Sequence, residues 1–459
     1  MPDKANTLLV DSIQKLLRRK ADRNLQRILQ RTHAADIAGV MRQLTDGDRT
    51  RLFGLVPDVE LQGEVLAEAD REIQLTLVDR VGDDELLEIL KEMFGDDAAD
   101  IIELLDEERA EKVLRALSGE EGPDVDVLLG YDPDSAGGIM STEVFALPHN
   151  TTVSEAIETL QSSHEELEMA FYLYVVNEHG HLVGVCSLRQ LVVSDASATL
   201  NDVMASDVIS VKTDTDQEFV ARIVARYNFL AVPVVDASNR LVGMVTVDDV
   251  IDVIREEATE DMLRLVGAGA DLDDQTSAIK STRQRMPWLA ASFVGGLGSM
   301  FIINRYEASI QQIAALASFI PVILGMGGNV GTQAATIVTR GLALGRINSS
   351  QFLSVISREI ATGAMLGLVY GAVLAVFIAV FQGSPDVGQL WQPWQLACTV
   401  SLGIITCMVL AATVGGGYPL LFDRFGIDPA IAAGPFVTTT IDVIGILAYF
   451  LIAKFFLPL

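Results

Sequence analysis

The chain is poor in cysteine, in histidine and, over its last third, in charge of either sign. Three cysteines, Cys186, Cys398 and Cys407, are spread over 459 residues, which excludes a disulfide framework or a zinc-type spacing. All five histidines precede residue 182, so the remainder offers no imidazole to the softer transition metals. Basic residues are outnumbered, with 33 Lys and Arg against 62 Asp and Glu and a net charge of −29. That deficit argues against nucleic acid, which requires basic patches to neutralise phosphate, and against docking on anionic lipid head groups. No nucleophile–base pair, glycine-rich phosphate loop or metal-hydrolase motif is present, so the chain is not read as an enzyme. No signal peptide opens it: residues 1–6 are polar and the first helix is basic and amphipathic. The charged part is therefore expected to stay in the cytosol.

What is present is divided unequally. Residues 1–286 hold 27 of the 33 Lys and Arg and 56 of the 62 Asp and Glu, whereas 287–459 hold six of each. An acidic head is thus fused to an apolar tail. A bilayer is crossed by about 17–25 apolar residues, and the tail supplies five such spans, near 287–304, 313–339, 353–381, 393–416 and 429–456. Arg283 and Arg285 precede the first span, and Arg340, Arg346 and Arg358 lie between the second and third. Positive loops stay cytoplasmic, so the N-terminus is expected inside and the C-terminus outside. Trp391 and Trp394 flank the fourth span, where interfacial rings belong.

Within the head, residues 7–130 carry apolar residues at helical spacing. HisAlaAlaAspIle at 33–37 is echoed by AspAlaAlaAspIle at 97–101, which suggests short stacked helix pairs, a small superhelix. From Tyr131 the pattern becomes strand–turn–strand–helix. Val175-Val176 and Leu182-Val183-Gly184 recur 59 residues on as Val234-Val235 and Leu241-Val242-Gly243. HisGly and SerAsn mark the two hairpin turns. These tandem units resemble a pair of CBS modules, the β-α-β-β-α folds that form one disc. The second ends in ThrValAspAsp at 246–249, similar to the Ser/Thr-x-x-Asp of nucleotide-binding members, so Thr246 and Asp249 are candidate nucleotide contacts. The first carries SerLeuArgGln at 187–190 and departs from that pattern. A long helix follows from about Val247 to Leu265, then an acidic linker at 271–282.

Two features of the tail carry chemistry. ProValIleLeuGlyMetGlyGlyAsnValGlyThrGln at 321–333 reads as an interruption of the second span, because proline removes a backbone donor and glycine loosens a helix. The fifth span has one ionisable group at depth, Asp442, expected roughly 20 Å along from Pro429 at about 1.5 Å per residue. A carboxylate there is costly unless water or a cation accompanies it. Oxygen-only ligands suit Mg²⁺ or Ca²⁺. One acid per chain is thin for a divalent ion, which suggests two chains each donating Asp442.

The order of parts resembles the MgtE family of magnesium channels. The resemblance rests on SerAlaGlyGlyIleMet at 135–140, the 321–333 motif, and AspProAlaIleAlaAlaGlyPro with ThrThrThrIleAspValIleGly between 428 and 445. It implies a multidomain chain: an all-α superhelical N domain (1–130), tandem α/β CBS modules (131–254), a plug helix and linker (255–285), and an all-α transmembrane pore domain of five helices (286–459). It implies a homodimer in the plasma (inner) membrane, an Mg²⁺-selective channel for influx that closes when Mg²⁺ fills sites on the cytosolic domains. Asp442 then matches the pore carboxylate and Asn329 a pore amide, with Gly328, Thr438 and Gly434 beside them. The matching sensor carboxylates are Asp96, Asp100, Asp216, Glu218, Asp249, Asp252, Glu257, Glu260 and Asp261, and ATP is a candidate ligand of the CBS modules. Asn228 and Arg255 fall where acids are usual. Two other readings stand beside this one: a secondary transporter coupling a divalent cation to H⁺ or another ion, and a nucleotide sensor with a membrane anchor.

Overall fold

A computed structural model describes residues 2–117, 125–163, 171–266, 278–381, 392–432 and 434–457. The chain falls into two compact units, Met1–Ile254 and Arg255–Leu459. Pro123, the GlyAlaGlyAla stretch, linker residues 271–277, the connection after the third span and Trp391 lie outside the described residues.

The first unit opens with ten helices: α1 (Pro2–Arg18), α2 (Asp22–Leu29), α3 (Ala34–Met41), α4 (Asp46–Phe53), α5 (Val59–Ala67), α6 (Arg71–Val78), α7 (Asp83–Lys91), α8 (Gly95–Glu103), α9 (Glu107–Leu117) and α10 (Val125–Leu128). Two of them open on capping side chains, His33 and Thr45, which accept from first-turn amides. Helices two apart in sequence pack together, α3 on α5, α4 on α6, α5 on α7 and α7 on α9, which winds the chain into a superhelix. The 33–37 and 97–101 echo falls on α3 and α8, and Ile37 and Ile101 are both fully buried.

The CBS modules follow as β1 (Ala146–Pro148), α11 (Val153–Ser163), β2 (Tyr172–Val176), β3 (Leu182–Ser187) and α12 (Leu188–Val193), then, after the short α13 (Leu200–Val203), β4 (Val211–Lys212), α14 (Gln217–Tyr227), β5 (Ala231–Val235), β6 (Leu241–Thr246) and α15 (Val247–Leu265). Each sheet has three strands, the first pair parallel and the second antiparallel. The repeat is kept residue for residue in the pairing of its two hairpins. Tyr172 faces Ser187 and Ala231 faces Thr246, and each hairpin carries an irregularity at the same place, Val175/Val176 and Val234/Val235. The turns repeat too: Asn177 Oδ1 accepts from the amides of His179 and His181, as Asp236 Oδ1 does from Ser238 and Arg240. Gly180 and Asn239 take the left-handed backbone these turns require. One apolar core runs from the superhelix into the second module, joining Leu86 and Ile101 to Ala136, Val232 and Val250.

The second unit holds the end of α15 and then α16 (Ala278–Arg305), α17 (Glu307–Gln312), α18 (Ala315–Ala343), α19 (Phe352–Phe381), α20 (Pro393–Arg424) and α21 (Pro435–Phe456). Five of these helices are long and apolar enough to cross a membrane: α16, α18, α19, α20 and α21. α20 packs against α18, α19 and α21. Gly363, Gly367 and Gly371, one turn apart on α19, bring its backbone against Met408, Ile405 and Ser401 of α20, the small-residue packing that replaces the hydrophobic effect in lipid.

Two expectations are corrected here. The second span is not interrupted: α18 runs unbroken through 321–333. Pro321 lies inside it, in the second turn, and costs one backbone hydrogen bond there without ending the helix. Gly327 and Gly331 are used for close contact, with Cys407 and Ile441 and with Ile441 and Val437 respectively. The fifth span starts later than read. Pro429–Ala432 form a short 3₁₀ turn, Gly434 caps, and Pro435 is the first residue of α21, the helical position proline suits best. Asp442 therefore lies seven residues into α21, about 10 Å along it, rather than at its middle.

Candidate ion path and cation-sensing surfaces

Where α18, α20 and α21 meet, Gly327, Cys407, Ile441 and Gly445 touch. Cys407 is buried and its Sγ lies 3.5 Å from the carbonyl oxygen of Ile323. Asp442 follows Ile441 at this junction. It is half-buried and makes no hydrogen bond or ion pair among the described residues. Thr438, one turn earlier, donates its hydroxyl to the carbonyl of Pro435 at 3.2 Å. Asn329 is exposed on α18, again without a hydrogen-bonding partner among the described residues. A side chain added at Gly325 or at Gly328 would meet nothing within 4 Å. α18 thus has one face closed by Gly327 and Gly331 and another, around Asn329, left open.

The carboxylates expected to sense the cation fall into separate groups. Among the described residues no set of three or more His, Cys, Asp or Glu side chains stands close enough to hold a metal ion. In the first unit Asp96 and Asp97 open α8, and Asp249 opens α15. All three are half-buried. Burial, and then neighbouring carboxylates, raise each carboxyl: Asp96 to about 6, beside Glu143 and Asp100, Asp249 to about 7, beside Asp96, and Asp97 to about 8, beside Asp96 and Asp249. Glu143 also reaches the superhelix, its Oε1 accepting from the Gly95 amide at 3.3 Å. Asp216 is drawn into structure instead. It caps α14, accepting from the amides of Glu218 and Phe219. Glu218 pairs with Arg222 at 3.6 Å. Asp100 and Asp252 are exposed. Asn228 ends α14 in the left-handed conformation at φ 54°, which an asparagine tolerates better than an acid of larger size.

Thr246 is fully buried and donates its hydroxyl to Asp249. Fifty-nine residues earlier Ser187 and Gln190 form the equivalent capping box. Both candidate nucleotide residues therefore also have a local structural task.

In the second unit the end of α15 meets the turn ahead of α21. Arg264 pairs with Glu260 on its own helix and with Asp428. Asp428 turns its other oxygen to the Ala430 amide at 2.8 Å. Asp261 is half-buried, and burial, with Asp428 and Glu257 nearby, raises its carboxyl to about 6. Leu265 packs against the core of the membrane helices.

Reasoning on the sequence overlooked Asp97, Glu143, Arg264, Asp428 and Glu359. Asp97 was signalled by GlyAspAsp at a helix start, and Asp428 by the AspPro that precedes the fifth span. Glu359 is 6% exposed in α19, its methylenes against Gly416. Nothing local marks its burial, which depends on the glycines of another helix.

Comparison with known proteins is consistent along the chain. Residues 32–134 match the MgtE intracellular N domain, 136–196 and 200–256 match CBS domains, and 320–452 match the MgtE divalent cation transporter domain. The chain is 34% identical to the magnesium transporter MgtE of Bacillus subtilis, covering 96% of each chain. It is 34% identical to that of Thermus thermophilus over 98% of each. Among solved structures, the soluble part of a magnesium transporter is matched over 99% of its length and 55% of this chain, at 32% identity and a TM-score of 0.51. The cytosolic domain of the Mg²⁺ channel MgtE in complex with ATP is matched over 99% of its length and 53% of this chain, at 36% identity and a TM-score of 0.51. Helices able to span a bilayer, a CBS pair, an acidic superhelix and relatives aligned from end to end lead to one conclusion: the chain belongs to the MgtE family of magnesium transporters.

Proposed function

We propose that this protein is a homodimeric channel that admits Mg²⁺ down its electrochemical gradient and closes when cytosolic Mg²⁺ is replete. The observation that carries the reading is Asp442, a half-buried carboxylate without a partner among the described residues, at a three-helix junction in a chain whose relatives are magnesium transporters. An anion in that setting is stabilised by a cation or by water. A hydrated Mg²⁺ suits it, because this ion sheds its waters reluctantly and is held by few carboxylates. Asn329 and the open face around Gly328 line the way in this reading, and Asp442 from each protomer shares the ion.

The closing signal is assigned to the head. Without Mg²⁺, Asp96, Asp97 and Asp249 repel one another, and so do Asp261 and Asp428. A divalent ion that bridges such pairs favours the arrangement in which they are close, and by linkage that arrangement binds the ion more tightly. Asp100, Asp216, Glu218, Asp252, Glu257 and Glu260 belong to the same proposed sensing surface. ATP at Thr246 and Asp249 is proposed on the solved relative. The plasma (inner) membrane, with the N-terminus inside and the C-terminus outside, follows from the loop arginines.

The test is Mg²⁺ flux into liposomes holding the purified protein, with internal Mg²⁺ varied. Asp442→Ala is expected to abolish flux while dimers still form, and normal flux in that variant overturns the pore assignment. Flux that falls when the pH gradient is collapsed would favour the H⁺-coupled transporter instead, and flux that stays unchanged rejects it.

A further inference from the structure

The head carries one feature its overall charge conceals. Between residues 15 and 31 stand five arginines, two lysines and a single acid, Asp22. Lys15, Arg18, Arg19, Lys20, Arg23, Arg27 and Arg31 are all exposed. None of them pairs with an acid among the described residues. Asp22, which could have answered one of them, is taken by Arg51 at 2.5 Å. The helix dipole accounts for part of the cluster, since Lys15 and Arg18 lie in the last turn of α1. It does not account for Arg23, which lies in the first turn of α2, where a cation is disfavoured. Arg23 and Arg27 are one turn apart on the side of α2 opposite its buried Leu25 and Leu29. On α1, Leu8, Ser12 and Lys15 follow at the spacing of one helix face, with Arg19 in the turn just beyond its end, and Leu8 is 66% exposed.

We propose that the end of α1 and the exposed face of α2 form a docking surface for anionic phospholipid head groups. The argument is charge complementarity read at the correct range. A net charge of −29 predicts repulsion from such a surface, but charges beyond about 8–10 Å are screened in physiological salt. Only the groups that touch the bilayer count, and here those are seven cations. Guanidinium groups suit phosphate particularly well, because they bind it through two parallel hydrogen bonds. An exposed leucine in register with the cations suits a bilayer interface, which takes up apolar side chains beneath its phosphates. The acidic face of a second copy offers such a leucine nothing. The head is tethered to spans in the same chain, so even a weak patch works at a raised effective concentration. The acidic remainder of the head is pushed outward, which gives docking an orientation.

The experiment uses the full chain in nanodiscs of phosphatidylcholine alone and of phosphatidylcholine with phosphatidylglycerol, followed by amide hydrogen exchange. With the anionic lipid, exchange across α1 and α2 is expected to slow by about tenfold or more, since each basic group near such a surface adds about 1 kcal/mol. High salt reverses the effect in the unaltered protein. The exposed-site variant R18Q/R19Q/R23Q/R27Q loses it, and Mg²⁺ flux through that variant at low internal Mg²⁺ stays unchanged. Equal exchange in the two nanodiscs overturns the proposal. So does protection already complete in detergent without lipid, which would assign the patch to an acidic face of a second copy. Neither outcome depends on how the pore is gated.

Discussion

At the scale of single residues, glycine decides where the membrane helices can approach. A methyl group added at Gly415 would stand 2.2 Å from the carbonyl oxygen of Gly331, a backbone atom that cannot rotate away. Gly328 offers the opposite case, with nothing within 4 Å. Both substitutions to alanine gain helix propensity, roughly 1 kcal/mol each. Gly415→Ala is nevertheless expected to lose about 1–3 kcal/mol net through overpacking, to lower the unfolding temperature in detergent and to cut Mg²⁺ flux severalfold. Gly328→Ala is expected to leave stability unchanged or raised. Thermal unfolding of the two variants side by side checks the contrast, and equal effects would refute the assignment of one face to packing and the other to open space.

At the scale of elements, what the sequence disclosed depended on whether a signal was local. The CBS repeat was legible because strand pairing and turn chemistry are written within a few residues, and Asn177 and Asp236 fill the same turn role 59 residues apart. The span count was legible from hydropathy. The continuity of α18 was not, because glycine in a helix means a break or a contact according to what stands opposite, and Cys407, Ile441 and Ala411 come from distant parts of the chain. The start of α21 was misplaced for a related reason: Gly434-Pro435 serves equally as a kink inside a helix or as its beginning. Arg264 was missed because its partner Asp428 is 164 residues away. That pair ties the end of α15 to the turn that launches α21, the helix of Asp442. Breaking it leaves Asp428 beside Asp261 with no guanidinium between them and Glu260. Arg264→Gln is therefore expected to destabilise the second unit in metal-free buffer, by about 0.5–1 kcal/mol for a partly exposed pair, and Mg²⁺ is expected to restore more stability to this variant than to the unaltered protein. Equal Mg²⁺-induced shifts in melting temperature would show that the arginine does no cation's work.

At the scale of the whole molecule, the excess of 29 negative charges is concentrated in the head, and part of it is forced into half-buried sites. Asp96, Asp249 and Asp97 have carboxyls raised to about 6, 7 and 8, so the folded head holds protons that the unfolded chain would release near pH 4. Stability must then fall as pH rises wherever the folded state binds more protons. For these groups the fall begins just above the ordinary aspartate range and ends once Asp97 has ionised, above about pH 8. In chelator, the melting temperature of the head is expected to drop between pH 5.5 and 8.5. Asp97→Asn removes the group that ionises last. At pH 8.5 it is expected to raise the melting temperature by about 2–4 °C, corresponding to about 1 kcal/mol in a unit of this size, while at pH 5.5 it has little effect. Millimolar Mg²⁺ should flatten the alkaline limb in the unaltered protein, because a divalent ion supplies at pH 8 the compensation that protons supply at pH 5. A melting temperature that is flat with pH in chelator, or a slope that Mg²⁺ leaves untouched, would mean that these acids meet solvent rather than one another and would remove them from the proposed sensing surface.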